Sequence, residues 1–522
     1  MAGVIKLITG LCGSGKTHRY LWYISKYCHE KRFIVAVPTI EMAHELAHRM
    51  ESAHQIQGVN KLLSTDGTLV SVELTKCLHP NSDSRVLIIT HKALENLGRQ
   101  TLIDNSIQRY LRDFTVILDE SPGAVIFTKV AIEAEKNHPW LNYVSTKPLK
   151  EDGDGVLLVA GDVQALKSYY KEPQAGDAET RFSVWALLAE FPLIKKQKKG
   201  KGYEVSGCVP NPILQVLKFC AEFYFVSASA ENSPLVVVAR EIFKISAQNA
   251  PQYLQPDQER NKHFDHVVTC YPLLEKRASL TRLSSSNGLY KRVLDKVLDI
   301  VSDKFIYAAN SDKVVGNRYY KFSTEARAHF YKQGTDAGYV SHGINLYGGS
   351  ESHGLEEEEL LHRGVDDVQL YMEGYTNAVW LGVSRLSTEA KNQLNEIALY
   401  FDGDGNEIIE AVENFMSFEA AYQLVLRTRL RIPDNREPIK LVVIDVPTAE
   451  YIVSNYIPNA KVVRDYVPEQ LSQSQERKQR AIELYREGKT VNEIAADLKV
   501  SKSIIYEYLK EEIAKKKLNK RR

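Results

Sequence analysis

Long apolar runs are missing from this 522-residue chain. No stretch reaches the roughly 18 uninterrupted apolar residues that a membrane-spanning helix needs, so no membrane partner is expected. Paired cysteines are missing too. The six cysteines stand at 12, 28, 77, 208, 220 and 270, and none forms a CxxC pair. That spacing excludes a zinc ribbon or an iron–sulfur centre held by such pairs and predicts reduced thiols. The opening MAGVIKLITG has no basic region, apolar stretch or cleavage site of a signal peptide, so a cytoplasmic location is expected. Nor does one sign of charge dominate: 67 Lys/Arg against 66 Asp/Glu leave a net +1.

That balance hides an asymmetry. Residues 471–522 hold fourteen Lys/Arg and eight Asp/Glu, an excess of +6, which leaves −5 for the rest. A basic tail domain on a mildly acidic body calls for an anionic partner. The chain is otherwise ordinary, with 44% hydrophobic and 25% charged residues. It is too long for one core, so two or three domains are expected.

The first part repeats a short β-rich apolar run followed by a helical pattern. The runs are VIKLIT (4–9), FIVAV (33–37), VLIIT (86–90), FTVILD (114–119) and FYFVSAS (223–229). After a break near 250–285 a second series follows: FIYAAN (305–310), GYVSH (338–342), AVWLGV (378–383) and LVVIDV (441–446). Strands alternating with helices predict α/β lobes with parallel sheets covered on both faces. We place lobe 1 at 1–250, with an insertion at about 121–222, and lobe 2 at 285–450. Residues 447–473 read as a connector and 474–515 as a small all-α domain. The insertion carries a basic run, Lys195, Lys196, Lys198, Lys199 and Lys201, which reads as a solvated loop or as a phosphate contact.

Residues 10–17, GLCGSGKT, complete the pattern G-x-x-x-x-G-K-[ST] between a strand and a helical stretch. Gly10, Gly13 and Gly15, with Ser14 among them, let backbone N–H groups curl around a phosphate at a helix N-terminus. Lys16 is expected to reach the β- and γ-phosphates of ATP, and the Thr17 hydroxyl to ligate Mg²⁺. FTVILDESP ends an apolar strand on Asp119 and Glu120, where open α/β sheets bind ligands. Asp119 is expected to hold the Mg²⁺ through a water, and Glu120 to orient and deprotonate the attacking water. Together these signals predict a nucleoside-triphosphate hydrolase.

Beyond those two, the sequence resembles superfamily 2 helicases of the DEAD/DEAH kind. Asp119-Glu120-Ser121-Pro122 looks like a variant of their DExx box, and Pro38-Thr39 like motif Ia. Thr90-His91 stands where motif Ib is expected, and Ser227-Ala228-Ser229 resembles the S-A-T motif that couples hydrolysis to motion. SHGINLY (341–347), with Ser341, Gly343 and Asn345, resembles motif V. AYQLVLRTRLR (421–431) resembles motif VI, Q-x-x-x-R-x-x-R, through Gln423 and Arg427; position 430 is Leu, so the second arginine is Arg429 or Arg431. No adenine-reading Q motif precedes the first strand, which argues against a true DEAD-box RNA helicase. The resemblance implies two RecA-like lobes clasping one ATP, with lobe 2 supplying arginines. It assigns nucleic-acid backbone contacts to Pro38, Thr39, Thr90, Ser341 and Asn345.

At the C-terminus, breaks and caps mark three short helices. Gly488 stops the first, Thr490 with Glu493 caps the second, and Ser501 caps the third, which is expected to bury Ile504 and Ile505. The pattern resembles the helix-turn-helix domain of resolvase/invertase recombinases. Lys502, Ser503 and Tyr506 are then the candidates for base edges of a duplex site; a protein-binding three-helix module is the other reading. FDGDGNEIIEAVEN (401–414) mimics a calcium loop, but Glu407 replaces its glycine, and a turn leading into a helix explains it better.

The expected activity is an ATP-dependent DNA helicase or translocase, with single-stranded DNA in the motor cleft, serving replication of a phage or mobile element. A double-stranded DNA packaging motor and an ATP-switched DNA-binding regulator are the alternatives.

Overall fold

The computed structural model describes residues 3–11, 13–63, 70–133, 138–149, 155–172, 176–197, 202–256, 267–285, 288–301, 304–310, 312–315, 318–333, 335, 337–339, 375–426, 428–431, 435–467 and 473–519. Lobe 1 begins with strands β1 (Ile5–Thr9), β2 (Arg32–Val37), β3 (Val59–Leu62), β4 (Val86–Thr90) and β5 (Phe114–Asp119). The chain then makes β6 (Val125–Ile132), β7 (Val144–Pro148), β8 (Val156–Ala160), β9 (Leu193–Gln197) and β10 (Tyr203–Pro210). It returns with β11 (Glu222–Ser227) and β12 (Ala247–Asn249). The first sheet has the order β12-β1-β11-β5-β2-β4-β3, and every pairing is parallel.

Apolar runs such as RFIVAV make central strands because both faces of the sheet are covered. Alternate residues serve opposite cores. Ile34 and Ala36 join Leu87, Ile89, Val116 and Leu118 on one face. Phe33, Val35 and Val37 join Val86, Ile88 and Ile117 on the other.

The segment between β5 and β11 builds a five-stranded antiparallel sheet, β6-β10-β9-β8-β7. Its helix Ala178–Leu188 is buried almost all round, and Trp185, 0% exposed, belongs to the lobe 1 core. The lysine run is not simply a loop: Lys195 and Lys196 lie in β9, and the Lys195 ammonium sits 4.0 Å from the Tyr203 ring centre. Lys198, Lys199 and Lys201 lie outside the described residues.

Lobe 2 is a second parallel sheet. Its strands are β13 (Val268–Leu274), β14 (Phe305–Ala309), β17 (Ala337–Tyr339), β18 (Asn377–Leu381), β19 (Ile439–Asp445) and β20 (Lys461–Val462), in the order β17-β14-β18-β19-β13-β20. Strands β15 (Lys313–Val315) and β16 (Arg318–Tyr320) form a separate small antiparallel pair. The stretch 250–285, which reads as a break, thus contributes β13 beside β19. Pro272 disguises it, because proline cannot donate to a ladder. Cys270 turns its carbonyl to Val463 on the β20 side, 2.9 Å from that N–H. Pro272, two residues on, faces the same way, beyond the two residues of β20. The expected connector also starts late. Asp445 caps the helix Val446–Tyr456, β20 follows, and Val467 is still buried in the lobe 2 core.

The helices Thr388–Tyr400 and Gly405–Asn414 follow β18 in sequence but pack on lobe 1. Leu394, Ile397, Ile408 and Val412 join its core. Around the turn between them, Lys244 Nζ donates to Asp402 O at 2.9 Å, Asp404 N–H to Glu241 Oε2 at 3.0 Å, and Arg240 pairs with Glu407 at 2.7 Å. A Cβ on Gly403 would stand 2.5 Å from Glu241 O, so only glycine allows this close approach. Asp404 caps the second helix, which makes the calcium-like string a helix start.

The C-terminal helices Gln473–Arg486, Val491–Leu498 and Lys502–Asn519 enclose a core of Ala481, Leu484, Ile494, Ala495, Ile505 and Leu509. Thr490 and Glu493 form the expected capping box. Ile504, expected inside, is 37% exposed, because Ile505 and Leu509 take the inward face four residues apart. Among the described residues no helix is long and apolar enough to cross a membrane.

Candidate active site

Sheet order turns separate sequence signals into one row. β1, β11, β5, β2 and β4 are consecutive neighbours and parallel, so their carboxyl ends lie side by side. They carry, in that order, the loop 10–17, Ser227-Ala228-Ser229, Asp119-Glu120, Pro38-Thr39 and Thr90-His91. The register makes the match close: Thr9 pairs with Ser227, Val226 with Asp119, and Val37 with Thr90. The carboxyl edge is where open parallel sheets bind ligands.

In the loop, Gly13 (φ 79) and Gly15 (φ 89) take the left-handed backbone that permits a tight curl. Lys16 Nζ donates to two carbonyls of its own loop, Gly10 O at 2.5 Å and Leu11 O at 3.0 Å. Ser14 Oγ is buried with no hydrogen-bond partner among the described residues. A glycine curl at the start of the helix Lys16–Tyr27, a flexible ammonium and an unsatisfied buried hydroxyl fit a phosphate group.

Asp119 is buried, and its Oδ2 accepts from Tyr20 Oη at 2.6 Å. Thr17 also lies near the Tyr20 hydroxyl, so Tyr20 stands between the two residues expected to hold Mg²⁺. Burial pushes the Asp119 carboxyl up, against the pull of Tyr20 and Lys16. Burial and the Asp119 charge together push the Tyr20 phenol well up, which keeps it a donor. Glu120 is exposed and left-handed, φ 64. Its N–H continues the ladder to Val226 O at 2.9 Å.

His91 lies beneath this pair, its Nε2 2.8 Å from the Asp119 main-chain oxygen. Burial pushes its imidazole down to about 4, so the ring is neutral near pH 7, and because a carbonyl only accepts, we assign the proton to Nε2. Thr39 and Thr90, expected at the nucleic-acid backbone, serve as helix caps, accepting from Met42 N–H and Ala93 N–H at 3.2 Å each.

Ser227 closes β11, and the next residues meet lobe 2. Ala228 and Leu11 pack on the lobe 2 core. The Ser229 side chain lies next to those of Glu419 and Tyr456. Glu419 ends a π-helical turn, Phe415–Glu419, and accepts from Tyr451 Oη at 2.8 Å and from Tyr456 Oη. Burial pushes its carboxyl up, against those hydroxyls.

Gln423 follows in the helix Ala420–Val425. Arg429 is ion-paired to Glu437, and its N–H donates to Tyr375 O at 3.0 Å. Tyr375 and Glu437 precede β18 and β19, so Arg429 lies at the amino edge of the lobe 2 sheet. Arg427, Ser341 and Asn345 lie outside the described residues, as does the side chain of Arg431.

The carboxyl edge of lobe 2 carries two arginines that the sequence reading missed. Arg277 follows β13 and lies 3.5 Å from Glu413. Arg385 follows β18; burial, then the Arg277 charge, holds its guanidinium below the ordinary value. A basic residue shortly after each apolar run is the available signal, and at Arg277 it was lost with β13.

In the C-terminal domain Lys502, Ser503 and Tyr506 are all exposed at the start of the last helix. Arg477 is half-buried, and Lys478 and Arg480 are exposed, Arg480 pairing with Glu483 at 3.0 Å.

No family model and no curated protein sequence matches the chain. Among solved structures, it is similar to S. cerevisiae Dbp5 bound to RNA and ADP BeF3, with 11% identity, a TM-score of 0.34, and cover of 89% of this chain and 86% of that one. T4 UvsW gives 9% identity and a TM-score of 0.21, covering 89% and 74%. The DUF1998 helicase MrfA bound to DNA and AMPPNP gives 11% identity and a TM-score of 0.30, covering 90% of this chain and 50% of that one. At these scores the likeness decides nothing about activity or ligands.

Proposed function

We propose that the chain is an ATP-driven motor on nucleic acid, a helicase or translocase of the superfamily 2 type, whose C-terminal helices recognise a DNA site. The observation that carries this reading is the row of strand ends. A phosphate-type loop, an Asp-Glu pair and a serine motif stand on adjacent strands, and the last of them meets the second lobe, where Ala228 packs on its core and Ser229 lies next to Glu419. A nucleotide enzyme that needs no motion has little use for that third connection.

In this reading the loop N–H groups, Ser14 and Lys16 bind the phosphates, and Lys16 exchanges its two loop carbonyls for them. Thr17 and Asp119 hold Mg²⁺, which supplies positive charge to the phosphate oxygens. Glu120 accepts a proton from the attacking water. Lobe 2 contributes positive charge through Arg427, with Arg431 favoured over Arg429 because Arg429 is engaged at the amino edge. Arg277 and Arg385 are further candidates at the carboxyl edge. Thr39 and Thr90 present helix N-termini whose free N–H groups suit strand phosphates. Single-stranded DNA in the cleft, contacted through its backbone, suits a motor that must pass over any sequence. Lys502, Ser503 and Tyr506 would meet base edges of a duplex site, as recruitment in replication of a phage or mobile element requires.

A packaging motor would also carry nuclease carboxylates in the second part of the chain, where Asp445 is the strand-end carboxylate to consider. Asp445 is committed as a cap, accepting from Ala278 N–H at 2.6 Å and Thr448 N–H at 3.0 Å.

The test is ATP hydrolysis by the full chain, with and without single-stranded DNA, beside Glu120→Gln. DNA should stimulate turnover, and Glu120→Gln should lower kcat by about 10²–10⁴-fold while nucleotide still binds. Turnover that ignores added DNA would leave only an ATP switch.

A further inference from the structure

Glu120 has an unfavourable backbone. A glutamate at φ 64 occupies the left-handed region, which side chains other than glycine rarely adopt. Such a conformation persists only where its surroundings hold it. Two hydrogen bonds do so here, and both act on one peptide unit. The Asp119 carbonyl receives His91 Nε2–H at 2.8 Å, and the Glu120 N–H of the same peptide reaches Val226 O at 2.9 Å. The Asp119–Glu120 peptide is therefore gripped from opposite sides, by a side chain from the end of β4 and by the backbone of β11. With that plane fixed, the turn at Glu120 sets where its carboxylate points. Tyr20 fixes the Asp119 side chain separately.

His91 itself is firmly seated. It opens the helix His91–Gln100, where the Thr90 cap fixes its backbone. Its Nε2 is the donor, because the Asp119 carbonyl can only accept.

We propose that His91 is a positioning residue for Glu120, locking the Asp119–Glu120 peptide so that the carboxylate meets the attacking water. This rests on the reading of Glu120 as the proton acceptor. It gives Thr90-His91 a task inside the hydrolytic site, apart from any contact with nucleic acid. Glutamine at 91 can place an amide N–H where Nε2–H stands, whereas asparagine reaches only as far as Nδ1.

The experiment uses the full chain with His91→Ala, His91→Gln, His91→Asn, Glu120→Gln and the double variant His91→Ala/Glu120→Gln. Amide hydrogen exchange over 119–121 is read without nucleotide, and kcat and KM for ATP are read separately. His91→Ala should speed exchange there about five- to tenfold, the effect of one lost hydrogen bond, with core strands unchanged. It should lower kcat roughly 10–100-fold and leave KM within about twofold. His91→Gln should recover most of both, and His91→Asn neither. The double variant should be no slower than Glu120→Gln alone, since the two act as a unit.

Unchanged exchange and kcat in folded His91→Ala overturn the proposal. So does a raised KM at constant kcat, or equal rescue by Gln and Asn. If Glu120→Gln hydrolyses ATP normally, the catalytic reading fails instead, and exchange alone then decides whether the clamp exists.

Discussion

The two lobes share an architecture and differ in where they keep their chemistry. In lobe 1 each candidate group stands within a few residues of a strand's carboxyl end, and five such ends are neighbours. In lobe 2 the corresponding ends hold an Asp445 cap and the arginines Arg277 and Arg385, while Glu419 and Gln423 come from helices. Lobe 1 is a compact instrument built on one edge. Lobe 2 assembles its part from distant segments, so its working arrangement depends on how it meets lobe 1. The difference suits a machine in which one side holds a ligand and the other senses it.

The contact of Ser229 with Glu419 is the sharpest place to break that comparison. If it carries information between lobes, Ser229→Ala or Glu419→Gln should reduce stimulation of ATPase by DNA by about 5–150-fold, the range of ordinary coupling energies. Unstimulated turnover should change far less. The double variant should resemble either single one, because both disrupt the same contact. Stimulation that survives both changes would mean the lobes touch there without coupling.

The opposite edge of lobe 1 serves stability. Glu222, at the start of β11, pairs with Lys6 and Lys31 and lies 3.3 Å from Tyr23 Oη. Burial pushes its carboxyl up, but hydrogen bonds and charge from the two lysines prevail and hold it down at about 2. A depressed carboxylate stabilises the fold above its unfolded-state pKa and loses that stabilisation as pH falls through the folded value. The loss should therefore run between about pH 4.5 and pH 2. Discounted for partial exposure, it should amount to about 2 kcal/mol or less. Urea unfolding across that range should lose this slope in Glu222→Gln. A mutant that keeps the slope would move the acid sensitivity to another carboxylate held below its ordinary value, such as Asp104.

Much of lobe 1 could be read directly because its signals are local. An apolar run, a glycine loop and an acidic pair each fit within about ten residues, and parallel pairing then brings them together. The sequence also marked the capping box at Thr490 and Glu493. What it hid were facts about partners. Nothing in Thr388–Tyr400 says that its apolar face covers lobe 1, because an amphipathic pattern gives a face and not its counterpart. Thr39 and Thr90 read as nucleic-acid contacts, and their caps show only in three dimensions. His91 stood in a motif-like pair, but its bond to the Asp119 carbonyl spans 28 residues.

The strand β13 was lost for a more specific reason, and it yields the smallest effect. A proline in a central strand usually removes a ladder hydrogen bond, a net contribution of about 0.5–1.5 kcal/mol. Pro272 avoids this if its missing N–H faces the side where β20 has already ended, as the direction of the Cys270 carbonyl indicates. Pro272→Ala would then gain no ladder bond. It would lose a little apolar burial and free the unfolded chain, so stability should fall by about 0.5–1 kcal/mol. Thermal or urea unfolding measures this directly. A gain of more than about 1 kcal/mol would mean that alanine completes a hydrogen bond that proline had blocked. Lobe 2 would then be a sheet interrupted at its second-to-last strand, and its contrast with lobe 1 would begin in the backbone ladder before reaching the side chains at the strand ends.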